Sequence, residues 1–460
     1  MKKERFAYRT RIPASAAEVF AWHARPGALE RLAPPWAPVE LIERTGGIEN
    51  GARVVLRVHI GPLPRRWVAE HRDVETGRRF RDVQLAGPFA HWEHTHRVEP
   101  DGPSACYLED AIEYALPFGA AGHMVGRAFV RRQLERLFAY RHHVTAHDIV
   151  QHGRRRERGP MKVVVTGASG LIGSALVPFL TAGGHQVTRL VRSRPRPGAA
   201  EVQWEPMAGS LDPASVEGAD AVVHLAGENI AAGRWTAARK AAIRESRVRG
   251  TQTLCGALAK LSRPPQVLVS ASATGYYGDR GDELLREDSA PGTGFLAEVC
   301  RAWEAATEPA VQKGIRVVLL RFGIVLSPAG GALAKMLTPF KLGVGGVVGT
   351  GKQYMSWVGI DDAVGAIHHA LQTEALRGPV NAVAPHPVTN AEFTATLGRV
   401  LGRPTLLPLP AFAARAAFGE MADALLLAST RAEPARLLAT GYPFRHPDLE
   451  GALRHVLGRA

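Results

Sequence analysis

Met161-Lys-Val-Val-Val-Thr-Gly-Ala-Ser-Gly-Leu-Ile-Gly173 is the stretch on which the fold turns. Met161–Val165 is short, apolar and β-branched, the composition of a buried strand. Three glycines follow at 167, 170 and 173, and the helical stretch Ser174–Ala182 comes next. Gly183-Gly184 stops that helix, and His185–Val191 supplies a second strand. Each glycine answers a steric demand. Gly167 permits a tight turn, Gly170 removes a Cβ from the path of an approaching phosphate, and Gly173 lets helix and strand pack closely.

Strand, glycine turn, helix and second strand in that order form a complete βαβ start, the context that gives a glycine trio meaning. The helix entrance presents free N–H groups and a partial positive charge, which suit a pyrophosphate. Thr166–Gly173 is therefore read as the dinucleotide cradle, with Gly167, Ala168, Ser169, Gly170, Leu171, Ile172 and Gly173 as cofactor-binding positions. An NAD site needs an acid after the second strand to hold the adenosine 2′-hydroxyl. Here the strand runs Leu190-Val191-Arg192-Ser193-Arg194. A guanidinium suits a 2′-phosphate through forked, charge-assisted hydrogen bonds, so the expected cofactor is NADP(H), with Arg192 as its reader and Arg194 in reserve. Ala221–Gly227 is another buried strand, whose small ends Ala226 and Gly227 would line the adenosine–ribose side. Gln266–Ser270 and Arg316–Phe322 add further strands. The fold class expected from Met161 onward is an α/β, doubly wound parallel sheet of the Rossmann type.

Moving outward, the 460 residues suggest two or three domains. The hydrophobic share is 46% and the charged share 22%, an ordinary globular balance. The three cysteines, Cys106, Cys255 and Cys300, form no CxxC pair, which points to a reducing compartment and away from a zinc cage. No secretory signal or membrane-length apolar run is found, so the expected location is the cytoplasm. The net charge of +14 comes from arginines scattered through every region. The one dense cluster, His152–Arg158, lacks interleaved aromatics, so no nucleic-acid partner is expected. That cluster reads as a basic linker over 151–160, and Met161 after it reads like the start of a once-separate protein.

Residues 1–150 read as a strand, short helices, several strands and a long helix. Ser15-Ala-Ala-Glu18 is a capping box opening a helix at Ala16. Arg53–Ile60 and His91–His96 alternate as strands, and Val130, Leu134, Leu137 and Phe138 share helical spacing. His94 and His96 share a strand face, and His143 and His147 a helix face. Without a placed carboxylate or third ligand, they are read as surface or cavity-lining residues, and no metal is expected. This element order, with its opening strand–Pro-Ala-Ser phrase, resembles the START-like, helix-grip superfamily, also called polyketide cyclase/dehydrase-like. The resemblance implies an α+β domain holding a small hydrophobic ligand between sheet and helix.

Thr166–Gly173, His224-Leu-Ala-Gly227, Ser270-Ala-Ser-Ala-Thr-Gly-Tyr-Tyr-Gly278 and Leu320-Arg321-Phe-Gly-Ile-Val-Leu326 resemble an extended short-chain dehydrogenase/reductase. Gly227-Glu-Asn-Ile, Arg234-Trp-Thr, Glu245-Ser-Arg247, Gly349–Val358 and Asn381–Asn390 narrow the likeness to the sugar-nucleotide epimerase-like subfamily with a C-terminal domain of unknown function. The likeness implies a cofactor domain over 161–385, a small substrate-side domain over 386–460, and a small-molecule substrate. It places Arg321 among the cofactor-side residues.

The superfamily's chemistry uses a Tyr, with a Lys four residues later. Alignment on Glu304 puts Leu296 and Cys300 there, and a shift by one puts Phe295 and Val299 there. Neither register has the pair. The resemblance leaves Ser272 and Tyr277 as candidate catalytic hydroxyls, with Tyr276, Cys300 and the acidic loop Asp279–Asp288 as further candidates and Tyr354 and Trp357 as candidate pocket walls. The function expected is an NADP(H)-dependent oxidoreductase or epimerase. The alternative is a catalytically silent NADP(H)-binding sensor or scaffold.

Overall fold

The computed structural model describes residues 2–61, 63–117, 119–154 and 159–459. Arg155–Arg158, the heart of the expected basic linker, lie outside the described residues. The chain divides into two compact units, one built mainly from residues up to Gly159 and one mainly from Pro160 onward. Among the described residues, no helix is long and apolar enough to cross a membrane.

In the first unit, seven strands form one antiparallel sheet: β1 (Glu4–Ile12), β2 (Glu40–Thr45), β3 (Arg53–Ile60), β4 (Leu63–Glu75), β5 (Arg79–Ala86), β6 (His91–Pro100) and β7 (Cys106–Ala115). Their order is β1–β7–β6–β5–β4–β3–β2, so six hairpin-like neighbours are closed by β1 returning beside β7. Ser15 caps α1 (Ala16–Ala24), its hydroxyl accepting from the Glu18 N–H at 3.3 Å. The short α2 (Ala28–Arg31) follows, and α3 (Gly119–Gly153) closes the unit. The helix-grip architecture expected from the sequence is what forms. Helix α3 extends three residues into the segment read as linker, because nothing before Gly153 breaks it.

Strands β6 and β7 alternate strictly in burial, turning Trp92, His94, His96 and Val98 inward from one, and Leu108, Asp110, Ile112 and Tyr114 inward from the other. Leu134, Phe138 and His142 come from α3 at four-residue spacing to meet them. Part of the interior is aromatic, with Phe6, Trp92, Tyr114 and Phe138. Part is polar. His94 and His96, solitary in the sequence, gain carboxylate neighbours through strand register: Asp82 stands opposite His94, and Asp110 opposite His96. His143 and His147 stack on one another along α3, ring centroids 4.0 Å apart.

In the second unit a seven-stranded parallel sheet is built from β8 (Lys162–Thr166), β9 (Gln186–Val191), β10 (Glu201–Gln203), β11 (Ala221–His224), β12 (Val267–Ala273), β14 (Arg316–Phe322) and the edge strand Gly378–Ala382; the two-residue β13 (Leu284–Leu285) lies outside it. The order is β10–β9–β8–β11–β12–β14–edge, so the winding reverses between β8 and β11. This is the doubly wound Rossmann order, and its crevice opens at that reversal, beyond the carboxyl ends of the strands. Three helices matter for the site: α4 (Leu171–Ala182), α5 (Ala237–Ala259) and α6 (Phe295–Ala305). The central strands are buried over nearly their whole length, as a sheet covered on both faces requires. Residues 386–456 are largely helical and belong to the same compact unit as the sheet.

Candidate cofactor and active site

The turn between β8 and α4 is shaped by its glycines. Gly167 has φ +67°, and a Cβ there would sit 2.6 Å from the Leu225 carbonyl carbon. A Cβ on Gly173 would sit 2.2 Å from the Gly167 carbonyl oxygen, so the first turn of α4 closes against the loop backbone and tolerates no side chain. The tightest neighbours at Gly173 thus belong to the cradle itself rather than to the strand. Gly170 differs. It is exposed, and a Cβ would meet only the Gly167 oxygen, at 3.3 Å. Its open side is where a phosphate can approach the helix entrance. Ala168, Leu171 and Ile172 are half-buried beside it and Ser169 is exposed.

Thr166 and His224, on neighbouring strands β8 and β11, hold this cradle from below. The Thr166 Oγ accepts from the Leu225 and Ala226 N–H groups at 3.1 and 3.2 Å. Its proton therefore points to His224 Nδ1, 2.7 Å away. His224 Nε2–H then donates to Thr251 of α5 at 3.0 Å. Burial lowers the imidazole to about 4, in keeping with this neutral form. The chain from α5 through His224 to Thr166 fixes the backbone that carries Ala226 and Gly227. Gly227 is exposed, and a Cβ there would lie 3.3 Å from the Arg247 guanidinium carbon. Arg247, half-buried, donates to the Glu228 carbonyl at 3.0 Å and lies 5.1 Å from the Trp303 ring centroid. Arg192 stands past the end of β9 with its side chain 79% exposed, 3.9 Å from Glu228.

At the other side of the crevice, Ser272 on β12 and Arg321 on β14 are paired in register. Ser272 Oγ donates to Glu304 Oε1 at 2.6 Å. Arg321 grips the same carboxylate with two hydrogen bonds, 2.8 and 2.9 Å. The Arg321 guanidinium also lies 3.5 Å from the Tyr276 ring centroid. All three Arg321 nitrogens donate within the protein, to Glu304 and to the Tyr277 hydroxyl. Tyr277 is fully buried; its hydroxyl lies 2.7 Å from Asn381 Oδ1 and accepts from Arg321 at 3.0 Å. That geometry speaks against Tyr277 as the proton donor, since the phenol has no open side and burial raises its pKa. Tyr276, half-buried, is the more open of the pair.

A Cβ at Gly275 would sit 3.3 Å from Leu296 Cβ and 3.9 Å from Cys300 Sγ. Phe295 instead packs on Trp235, and Val299 is buried. The Leu296/Cys300 register is therefore the one that faces the end of β12, where the superfamily places its Tyr and Lys. Burial pushes the Cys300 thiol up to about 12, so it stays protonated. Among the acids of that loop, Glu287 alone is buried, accepting from the Asn381 and Arg436 backbone N–H groups at 3.1 Å each. Trp357 is core, with its indole N–H on the His386 carbonyl, and Tyr354 is half-buried beneath Arg431.

Sequence reasoning assigned no role to the side chains of Thr166, His224, Arg247 and Glu304. The signal for Glu304 was its place one helical turn beyond the Lys position. The others needed the strand order.

Known proteins match this arrangement. Residues 163–382 match the NAD dependent epimerase/dehydratase family, 409–456 a domain of unknown function, and 12–138 the family of polyketide cyclase/dehydrase and lipid transport. The chain is 48% identical to an epimerase family protein of Mycobacterium bovis over 297 residues, which is 65% of this chain and 98% of that one. It is 39% identical to the human epimerase family protein SDR39U1, covering 65% of this chain and all of that one. Among solved structures, a nucleoside-diphosphate sugar epimerase from Corynebacterium glutamicum aligns with TM-score 0.81 at 34% identity, over 98% of this chain and 90% of the other. Human SDR39U1 solved with NADPH aligns with TM-score 0.60 at 38% identity, over 65% of this chain and all of that one. A Rossmann sheet wound in this order, a glycine cradle of this shape and relatives of this closeness agree: the chain belongs to the epimerase family, extended short-chain dehydrogenase/reductases that carry the C-terminal domain of unknown function, here behind a polyketide cyclase-like domain.

Proposed function

We propose that the segment from Met161 onward binds NADP(H) and, with it, carries out a redox or epimerisation step on a small molecule. The observation that carries the cofactor assignment is Gly170: a bare, exposed Cα at a helix entrance whose neighbouring glycines admit no side chain. The cradle Gly167–Gly173 would hold the pyrophosphate, Ala226 and Gly227 would line the adenosine ribose, and Arg192 would meet the 2′-phosphate. The NADPH in the human relative's structure supports the choice of cofactor. When bound, the nicotinamide would supply the hydride. In this reading 161–385 is the cofactor domain and 386–460 the substrate side. Residues 1–150 form a separate domain for a small hydrophobic molecule. Three unpaired, buried thiols accord with a cytoplasmic setting.

Proton handling falls to Ser272. Its hydroxyl already gives its hydrogen bond to the Glu304 carboxylate, and Arg321 fixes that carboxylate in place. Hydroxyl and oriented carboxylate together form a proton-transfer pair of ordinary type. The silent sensor reading rests on a specific observation too: the positions facing β12 are Leu296 and a protonated Cys300. Calorimetric titration with NADPH and NADH, then stopped-flow absorbance at the reduced-nicotinamide band over carbonyl and sugar-nucleotide substrates, separates the readings. Tight NADPH binding with turnover lost in Ser272→Ala supports the enzyme. Tight binding with no turnover on any substrate supports the sensor, and no binding of either nucleotide defeats both.

A further inference from the structure

The first unit contains a cluster that the cofactor chemistry does not use. Across three adjacent strands, register lines up His71 on β4, Asp82 on β5 and His94 on β6, each directly opposite the next. His96, two residues along β6, faces Asp110 on β7. His142 reaches in from α3. His94, His96, Asp110 and His142 are all buried, while the Asp82 side chain keeps 23% of its exposure. Asp82, His94 and His96 each offer one ligand atom within 4.8 Å of the others.

The finer geometry separates ligands from supports. Asp110 accepts from His94 Nε2 at 2.8 Å and from His142 Nε2 at 2.6 Å. A metal-bound imidazole gives its second nitrogen to a carboxylate in the same way, which leaves His94 Nδ1 for an ion. His96 Nε2 lies 3.3 Å from Asp82 Oδ2. A charge-assisted hydrogen bond would draw these atoms to roughly 2.7–2.9 Å. Two ligands of one ion, each about 2.0–2.1 Å from it, stand roughly 2.9–3.4 Å apart. The observed spacing fits the edge of a coordination polyhedron. Asp82 Oδ1, His71 Nδ1 and His96 Nδ1 are buried with no aligned hydrogen bond, and His96 Nδ1 stands 2.6 Å from Asp110 Oδ1, so the carboxylate that holds His94 also faces the second nitrogen of His96. His71 Nδ1 stands 2.5 Å from that same Asp82 oxygen.

We propose that the polyketide cyclase-like unit binds one divalent first-row transition-metal ion through His94, His96 and Asp82. Asp110 orients the imidazoles and His71 steadies the Asp82 carboxylate. Two imidazoles and one carboxylate leave a coordination position open, toward the half-exposed Asp82 end, for water or an anionic group of a small molecule.

The test uses the full-length protein, stripped by a chelator and titrated with Co(II) and then Zn(II). One equivalent of Co(II) should bind with visible ligand-field bands, and Zn(II) should displace it. Asp82→Asn and His96→Gln should each weaken binding at least about tenfold. Near-UV circular dichroism, sensitive to Trp22, Trp67 and Trp92, confirms that the variants fold. In the wild-type protein, Co(II) should also displace the imidazole proton resonances of His94 and His96, a readout that needs no variant. No stoichiometric binding, unmoved His94 and His96 resonances, or undiminished affinity in folded variants would each overturn the proposal.

Discussion

Arg192 shows how far one side chain can be argued. It is exposed, it stands where the second strand ends, and its nearest acid, Glu228, is 3.9 Å away and also 3.3 Å from Arg239. An exposed, loosely held guanidinium is available to a phosphate at little cost. Arg192→Ala should weaken NADPH at least about tenfold while changing NADH by less than about threefold, since one charge-assisted contact contributes roughly 1.5–3 kcal/mol. Calorimetry with both nucleotides decides, and equal losses would remove Arg192 from the assignment. His224 gives a prediction of another kind. Its folded value of about 4 lies below the ordinary 6.5. The unfolded chain thus takes up the proton first, so the stability it contributes is present above pH 6.5 and is lost as pH falls toward 4. Urea midpoints measured across that window should fall more steeply for the wild type than for His224→Gln. Parallel slopes would contradict a neutral, buried His224.

At the scale of elements, β8–α4–β9 was legible because its signals are local: an apolar β-branched run, glycines at fixed offsets and a double-glycine stop. The structure adds a division of labour among those glycines. A Cβ at 173 collides with backbone at 2.2 Å, whereas a Cβ at 170 meets one atom at 3.3 Å. Gly173→Ala should therefore lower the thermal midpoint and cofactor affinity together, at about 1–3 kcal/mol of stability. Gly170→Ala should leave the midpoint nearly unchanged and still cost affinity, because its side chain enters only the ligand's space. Thermal scans with and without NADPH separate the two, and identical behaviour would mean that Gly170 does not face the phosphates. The rest of the site was less legible. Ser272, Glu304 and Arg321 lie 17 to 49 residues apart and meet only because β12 and β14 pair in register and α6 returns over them. Tyr277, read as a candidate catalytic hydroxyl, ends a 3-10 turn that folds its ring into the core. His94 and Asp82 share a face only once β5 and β6 are paired. Periodicity reports which face a residue takes, and it is silent on which strand comes to lie beside it.

For the whole molecule, two kinds of site fall in two different compact units: a backbone cradle at a parallel-sheet switch point, and an imidazole–carboxylate cluster inside an antiparallel sheet. Their physical signatures under ligand differ accordingly. A ligand that binds only the closed state suppresses local opening in proportion to its saturation, about a hundredfold at a concentration one hundred times Kd. Hydrogen–deuterium exchange with saturating NADPH should therefore slow amides in Ser169–Gly173 and Leu225–Gly227, which form the cradle and the ribose edge. Amides of His91–Pro100 and Cys106–Ala115 contribute nothing to that cradle and should exchange as before. Protection confined to the glycine turn and the end of β11 places the nucleotide where the winding reverses. Protection centred on β6 and β7 instead would move the nucleotide into the first unit and sink the cofactor assignment, because no glycine turn or helix entrance exists along those two strands.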